Sequence, residues 1–290
     1  MSEVVVKDIE MNKETKHPEP DIPPCPFWLP IFPYLIVYGL LIFISWKFFD
    51  TNPEPWRFPV FNYIFGIICT LQFIAIVYER YTFYGPAGFY ESYWYCSCAL
   101  PITLIGFIFN LPSLIGECMC LMLFPHMSFW IDSLFVLIFK KSILGSAGWI
   151  FEKDTPWHEI FTTCHHFWYF PCIFICFYGH SAIPIESYFL SILQFVLLNI
   201  VCHFMTPNAL IDKTGEYRLL NICVSHEPPD FLKKIPPFKW GMNAPYFFFL
   251  LIATICYNVP FNYVAYIIIT SVQFLINKIL YVCFNVTMRK

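Results

Sequence analysis

The chain has 290 residues, of which 58% are hydrophobic and 21% are aromatic. Only 13% are charged, whereas an ordinary soluble domain carries about 25% charged residues. The mean hydropathy of +0.59 excludes that class and predicts an all-α, polytopic membrane protein. The net charge of −3 and the pI of about 6.2 provide no basic surface for nucleic acid.

The N-terminal segment differs in composition from the rest of the chain. Residues 1–24 are polar, charged and proline-bearing, which predicts a disordered tail. They lack the basic start and the short apolar core of a signal peptide. Residues 25–290 are predicted to form one transmembrane domain. A span needs about 20 apolar residues, and the candidate spans are 28–48, 58–78, 115–139, 160–180, 185–206, 245–259 and 260–284.

The stretch 93–124 is apolar throughout but does not fit a single span. Pro101, Asn110 and Pro112 interrupt it, and proline breaks or kinks a helix interior. Three interpretations stay open: an additional complete span, a re-entrant segment, or an extension of the third helix.

Basic residues indicate the orientation, because cytoplasmic loops of membrane proteins are enriched in Lys and Arg. With seven spans and a cytosolic C-terminus, most of the 17 Lys and Arg residues fall in cytosolic segments, notably Lys140, Lys141 and the loop 207–240. The predicted topology therefore has a lumenal N-terminus and a cytosolic C-terminus.

Ionisable and polar side chains within the apolar runs are the candidate functional residues, because burying them in a bilayer is costly. Asp132 lies inside the third run, which Lys140 and Lys141 close. His158, Thr162 and His165 recur at the spacing of one helical face.

Two further candidates stand beside these. His166 adjoins His165 in sequence, and Asn199 and His203 are four residues apart in a later run. Histidines on two spans that line one cavity can bind a metal, move protons or act as nucleophiles.

The sequence predicts no metal centre. Most of the 13 cysteines lie within apolar runs and no CxxC pair occurs, so they are interpreted as small buried hydrophobic residues. Membrane di-iron enzymes carry several histidine boxes, whereas this chain has eight histidines and one adjacent pair. His126 and His226 are isolated in the sequence.

Three short motifs, in this order, resemble those of the ELO family of very-long-chain fatty acid elongases. DSLFVLIFKK (132–141) is similar to the family's aspartate-to-dibasic segment. TTCHH (162–166) resembles the HxxHH histidine box, and LNIVCH (198–203) resembles the LNxxVH motif. PWRFPVFNY (55–63) is similar to the segment that opens the second span of the family.

The resemblance implies six helices arranged as a barrel around an acyl tunnel, with a seventh helix outside. It implies condensation of a long-chain acyl-CoA with malonyl-CoA to 3-oxoacyl-CoA, CO2 and CoA, without a cofactor. His165 is then the candidate nucleophile, and His166, His203 and Asn199 the candidate donors to the enolate. Asp132 is the candidate that orients an imidazole, and Lys140 and Lys141 are the candidate contacts of CoA.

The chain departs from the family at the histidine box, where Thr162 occupies the position of the first histidine. We hypothesise that His158, one turn earlier, substitutes for it. The resemblance also implies the endoplasmic reticulum membrane as the location. A ketoacyl reductase, a dehydratase and an enoyl reductase are the implied partners, and a homodimer stays possible.

Three other classes of function remain open. One is an elongase-like scaffold or lipid-binding protein that has lost catalysis. The others are a ceramide synthase-like acyltransferase, although its paired-aspartate motif is missing, and a transporter whose polar residues line a pathway.

Overall fold

The computed structural model describes residues 31–180, 182–207, 209–211, 217–219, 225 and 245–288. The predicted disordered tail, 1–24, and most of the loop 207–240 lie outside these residues. The described chain is almost entirely helical, as the composition predicts, apart from one antiparallel pair of short strands.

The elements are mostly α-helices, which range from six to 30 residues in length and are joined by turns and longer loops. In chain order they are α1 (Ile31–Ile44), a π-helix (Ser45–Phe49), α2 (Pro59–Tyr84), α3 (Pro86–Glu91), α4 (Tyr95–Ile108), α5 (Pro112–Phe139), a 3-10 turn (Gly148–Phe151), α6 (Trp157–Thr163), α7 (His165–Cys176), α8 (Glu186–Met205), β1 (Ala209–Ile211), β2 (Tyr217–Leu219), α9 (Tyr246–Ala253), a second π-helix (Thr254–Asn258) and α10 (Val259–Met288).

Among the described residues, four helical segments are long and apolar enough to cross a membrane: Pro59–Tyr84, Pro112–Phe139, Glu186–Met205 and Tyr246–Val282. Shorter apolar helices cover Tyr34–Phe49 and Tyr95–Ile108. The chain is therefore consistent with a helical membrane protein, and the total of seven spans stays a prediction.

The last two predicted spans, 245–259 and 260–284, are not separate helices. The apolar helical segment Tyr246–Val282 runs through both of them. Pro260, the second residue of α10, lies inside this continuous segment, where proline removes a backbone hydrogen bond. The π-helix before it accommodates the irregularity by widening one turn. The prediction of two spans here is wrong.

The stretch 93–124 resolves into two helices joined by a tight turn. α4 packs against α2 and α5, and the Leu111 N–H donates to the Gly106 carbonyl at 2.7 Å to close the turn. Asn110 takes a left-handed conformation, with φ of 50°, which asparagine tolerates better than most residues. Residues 112–124 thus belong to α5, and whether α4 is a complete span or a re-entrant segment stays open.

Contacts between turns define two ends of the bundle. The first end comprises 50–58, 109–111 and 177–185: the Asn110 side-chain amide donates to the Glu54 carbonyl at 3.3 Å, and the Trp56 and His180 rings lie 4.7 Å apart. The second end comprises 84–94 and 140–157. α2 and α5 each run from the first end to the second.

α1 begins near the second end, because the Tyr34 hydroxyl donates to the Ser92 carbonyl. The start of α1 and the Lys140 segment therefore lie at the same end of the bundle. The predicted topology placed them on opposite sides of the membrane. It did not count α4, which runs from the second end of the bundle to the first. Which side of a membrane each end faces stays a prediction.

Asp50 joins α1 to α5 at the first end. Its carboxylate accepts hydrogen bonds from the Ser45 hydroxyl at 2.6 Å and from the Ser113 backbone N–H at 3.2 Å. Ser113 is in the first turn of α5, where backbone N–H groups have no partner within the helix. Burial raises the pKa of the Asp50 carboxyl, and the bonds from Ser113 and Ser45 oppose that rise.

Gly116 fixes how closely α5 and α8 approach. A Cβ at this position would lie 2.3 Å from Ser187 Oγ and 2.4 Å from Ile183 Cγ2. We expect Gly116→Ala to separate the helices and to cost about 1–3 kcal/mol, as overpacking does. The measurement is the thermal unfolding midpoint of the purified protein in detergent.

Gly39 in α1 provides the matched control, because nothing lies within 4 Å of an added Cβ there. Gly39→Ala should leave the midpoint unchanged or raise it, since alanine is the better helix former by about 1 kcal/mol. Equal midpoints for the two variants would contradict the close approach at Gly116.

Candidate functional site

The site begins with an interruption between α6 and α7. α6 ends at Thr163 and α7 begins at His165, with Cys164 between them. The last carbonyls of a helix have no partner within it, so other donors must reach them. The Gln72 side-chain amide of α2 donates to the carbonyls of Phe161, at 3.1 Å, and Thr162, at 3.0 Å.

The two adjacent histidines bond the same turn. His165 Nδ1 lies 2.8 Å from the Thr162 carbonyl oxygen, and His166 Nδ1 lies 2.9 Å from that of Thr163. A carbonyl oxygen can only accept, so each Nδ1 carries the proton and, in the neutral ring, each Nε2 carries a lone pair. His165 is 3% exposed, and its Nε2 has no hydrogen-bond partner among the described residues.

A third imidazole, His126 of α5, lies beside this pair. Its ring centroid is 4.7 Å from that of His166 and 6.2 Å from that of His165. Its Nδ1 is 3.1 Å from the Met122 carbonyl oxygen, and its buried Nε2 has no partner within the described part of the chain. His126, His165 and His166 form what we call the histidine cluster.

A cleft of about 120 Å³ opens onto the cluster and is called the histidine cleft. One wall is polar: Arg80 contacts Glu91 at 3.4 Å and Glu79 at 3.3 Å. The lining residues are Ile76, Arg80, Glu91, Trp94, Cys96, Ser97, Thr162, Thr163, His165 and His166.

Cys96 approaches the histidine pair from α4. One potential ligand atom from each of Cys96, His165 and His166 lies within 4.8 Å of the other two. Cys96 was interpreted from the sequence as one of many small buried hydrophobic residues. Its position in the histidine cleft gives it a chemical environment that this interpretation did not foresee.

Asp132 contacts a loop at the second end of the bundle. Its carboxylate accepts hydrogen bonds from the Ser142 hydroxyl at 2.9 Å and from the backbone N–H groups of Ile143, Leu144 and Ala147 at 2.8–2.9 Å. The sequence suggested that Asp132 orients an imidazole, whereas its hydrogen bonds in the structure hold the turn after α5. Lys140, with φ of 55°, ends that helix, and Lys140 and Lys141 are exposed.

His158 and Thr162 occupy different surroundings although they share a helix. His158 Nδ1 lies 2.9 Å from Glu79 Oε1, and its ring stacks on Phe83 with centroids 4.0 Å apart. Thr162 is buried in the histidine cleft, and its hydroxyl donates to the Glu159 carbonyl. His126, rather than His158, therefore stands next to the histidine pair.

Asn199 and His203 lie along α8. The Asn199 amide donates to the Tyr95 hydroxyl at 2.8 Å, one residue before Cys96. His203 Nδ1 lies 2.8 Å from the Ser225 carbonyl oxygen, and its ring stacks on Tyr246 with centroids 3.6 Å apart. Asn199 is thus connected to the start of α4, whereas His203 contacts the segment after α8.

His126 and Cys96 are the site residues that sequence reasoning missed. A histidine within an apolar run was a usable signal for His126, but its neighbours belong to another helix. Cys96 carried no such signal, because it is one of 13 cysteines, most of which lie within apolar runs.

No family model, curated protein or solved structure matches the chain. The resemblance to the elongases accordingly stays a prediction based on three short motifs.

The role of Asp132 in the loop is testable. Asp132→Ala removes the acceptor for the backbone N–H groups of 143, 144 and 147. Hydrogen bonds to a charged group contribute about 1.5–3 kcal/mol each, so the open loop should become about tenfold more populated or more. We expect trypsin to cleave after Lys141 correspondingly faster in detergent.

Ser133→Ala is the control for this experiment, because Ser133 is buried and its hydroxyl has no partner among the described residues. It should be cleaved at the rate of the unmodified protein. Unchanged cleavage of Asp132→Ala would show that the aspartate does not hold the loop.

Proposed function

We propose that the chain is a membrane-embedded acyltransferase that condenses a long-chain acyl-CoA with malonyl-CoA at the histidine cluster. The observation that carries this proposal is the state of the imidazoles. Each Nδ1 faces a backbone carbonyl, and Nε2 of His165 is buried with no hydrogen-bond partner in the part of the chain that the structure describes. A neutral imidazole with a free lone pair is a nucleophile towards thioesters.

In the first step, His165 Nε2 attacks the carbonyl carbon of the acyl-CoA thioester. The C–S bond breaks, CoA leaves as a thiolate, and the acyl group becomes bonded to Nε2. The ring then carries one positive charge, and its Nδ1–H remains bonded to the Thr162 carbonyl oxygen. This bond stabilises the charged ring, because donors on cations form the stronger hydrogen bonds.

In the second step, the malonyl group loses CO2. The electron pair of the broken C–C bond forms an enolate, which attacks the acyl carbon, and the N–C bond to His165 breaks. The products are 3-oxoacyl-CoA and the original neutral imidazole. The hydroxyls of Ser97 and Thr163 line the histidine cleft and supply donors for the enolate oxygen.

His166 was expected to donate a hydrogen bond to the enolate, but we propose a different role for it and for His126. With the proton on Nδ1 and bonded to a carbonyl oxygen, a neutral ring offers an acceptor at Nε2. We assign them to holding and moving protons around His165. Asn199 acts indirectly, through its hydrogen bond to Tyr95 at the start of α4.

The second end of the bundle is the proposed side of CoA entry. Exposed Lys140 and Lys141 lie at that end, and cationic side chains suit the phosphates of CoA. The proposed location is the endoplasmic reticulum membrane with this end cytosolic. A ketoacyl reductase, a dehydratase and an enoyl reductase then complete the cycle.

The size of the cleft favours a second candidate function. Its volume is about 120 Å³, whereas sites for small molecules usually measure about 300–1,000 Å³. Condensation therefore requires the cleft to widen when the acyl chain enters. A protein that has lost catalysis and serves as a scaffold or binds lipid does not require this widening.

The deciding experiment is a microsomal assay with labelled malonyl-CoA and acyl-CoAs of different lengths. The unmodified chain should form 3-oxoacyl products. His165→Ala should lower the rate by about a hundredfold or more, and His126→Gln by about tenfold or more, since positioned acid–base groups contribute about 10²–10⁴-fold.

His180→Gln is the control histidine, because His180 lies at the first end against Trp56. Its rate should stay within about twofold of the unmodified chain, far below the effect of about 10²–10⁴-fold ascribed to an acid–base group. Product formation by His165→Ala at the unmodified rate would refute the nucleophile. No product from a correctly inserted unmodified chain at any acyl length would favour the scaffold.

A further inference from the structure

Cys96, His165 and His166 bring one thiol and two imidazoles together at the histidine cleft. Their potential ligand atoms lie within 4.8 Å of one another. The three come from two separate parts of the chain: Cys96 from the first turn of α4, and the histidines from the first turn of α7. The packing of these two helices in the bundle therefore brings the three side chains together.

The hydrogen bonds of the imidazoles suit metal binding. Metal-bound histidine almost always donates its other ring N–H to a carbonyl or a carboxylate, which fixes the tautomer. His165 and His166 already do so towards the Thr162 and Thr163 carbonyls at 2.8 Å and 2.9 Å. Nε2 is therefore the available ligand atom in each ring.

Burial provides an independent observation. His165 is 3% exposed, and its Nε2 has no hydrogen-bond partner among the described residues. An unpartnered polar atom in a buried position is costly. The same side chain lines the cleft, so a ligand that enters the cleft can satisfy this atom.

We propose that Cys96, His165 and His166 form a Zn²⁺ site. Thiolate and imidazole are the ligands that Zn²⁺ prefers, and three protein ligands leave the fourth tetrahedral position open. All three residues line the histidine cleft, so a ligand in the cleft can occupy the fourth position. Zn–S and Zn–N bonds of about 2.0–2.3 Å require the three side chains to come closer together, because their ligand atoms lie within 4.8 Å of one another.

The donor set also selects against other ions. Ca²⁺ and Mg²⁺ prefer oxygen ligands, and the carboxylate in the cleft, that of Glu91, is 3.4 Å from Arg80. Binding releases the thiol proton of Cys96, and the thiolate offsets one of the two charges of Zn²⁺.

The metal site uses the cluster of the proposed reaction but does not depend on that reaction. Zn²⁺ on Nε2 of His165 removes the lone pair that acylation needs, so the two uses exclude each other. If the chain condenses acyl-CoA, Zn²⁺ should inhibit it and a chelator should restore it. Metal binding itself is measurable without any substrate.

The test uses the full chain, purified in detergent and stripped with a chelator. Zn²⁺ bound after dialysis is measured by elemental analysis, and Co²⁺ serves as a spectroscopic probe, because a thiolate ligand adds a charge-transfer band. We expect one equivalent of Zn²⁺ per chain and a thiolate band with Co²⁺.

Two variants and a control decide the ligands. Cys96→Ser should abolish the thiolate band and weaken Zn²⁺ binding by about tenfold or more, and His165→Ala should weaken it similarly. Cys98→Ser is the matched control on the same helix, since the Cys98 thiol contacts the Tyr34 hydroxyl and the Ser92 carbonyl instead. It should bind as the unmodified chain does.

The outcomes are distinct. No Zn²⁺ on the folded, unmodified chain overturns the site, and so does binding that survives Cys96→Ser unchanged. Unfolding of Cys96→Ser is recognised by its elution volume and thermal midpoint. In that case Cys96→Ala and the Co²⁺ band of the unmodified chain decide, and the absence of that band overturns the site.

Discussion

The arrangement of the site depends on the backbone carbonyls of Thr162 and Thr163, where the helix is interrupted at Cys164. In a membrane interior, each unsatisfied backbone group costs several kcal/mol, so these carbonyls must be paired by other groups. Gln72 from α2 pairs with Phe161 and Thr162, while the imidazoles of His165 and His166 pair with Thr162 and Thr163. The interruption therefore fixes both rings and ties α2 to α6.

This constraint also gives the site its chemistry. Because the carbonyls hold the Nδ1 protons, the lone pairs lie on Nε2, and the Nε2 of buried His165 has no hydrogen-bond partner among the described residues. A free Nε2 serves equally well as a nucleophile and as a metal ligand. The neighbouring side chains distinguish the two uses. The hydroxyls of Ser97 and Thr163 suit an enolate, whereas the Cys96 thiol suits Zn²⁺.

Sequence reasoning succeeded where the signal is local. Apolar runs predicted the helices around 58–78, 115–139 and 185–206, and the adjacent histidines His165 and His166 have rings 4.2 Å apart. It failed where the signal lies between helices. The neighbourhood of His126 depends on how α5 packs against α7, and the contacts of Asp132 depend on a turn that no periodicity reveals.

For the proposed reaction, the threonine at position 162 is less of an obstacle than the resemblance of TTCHH to a histidine box suggests. In this structure the contribution of residue 162 to the cluster is its carbonyl oxygen, which accepts from His165 and from Gln72. Any residue supplies that oxygen, so the tautomer of His165 does not require a histidine here. The imidazole absent from the box is matched by His126 on α5, 4.7 Å from the His166 ring. A third imidazole from another helix can move protons as well as one from the same sequence motif, because proton transfer depends on distance and orientation.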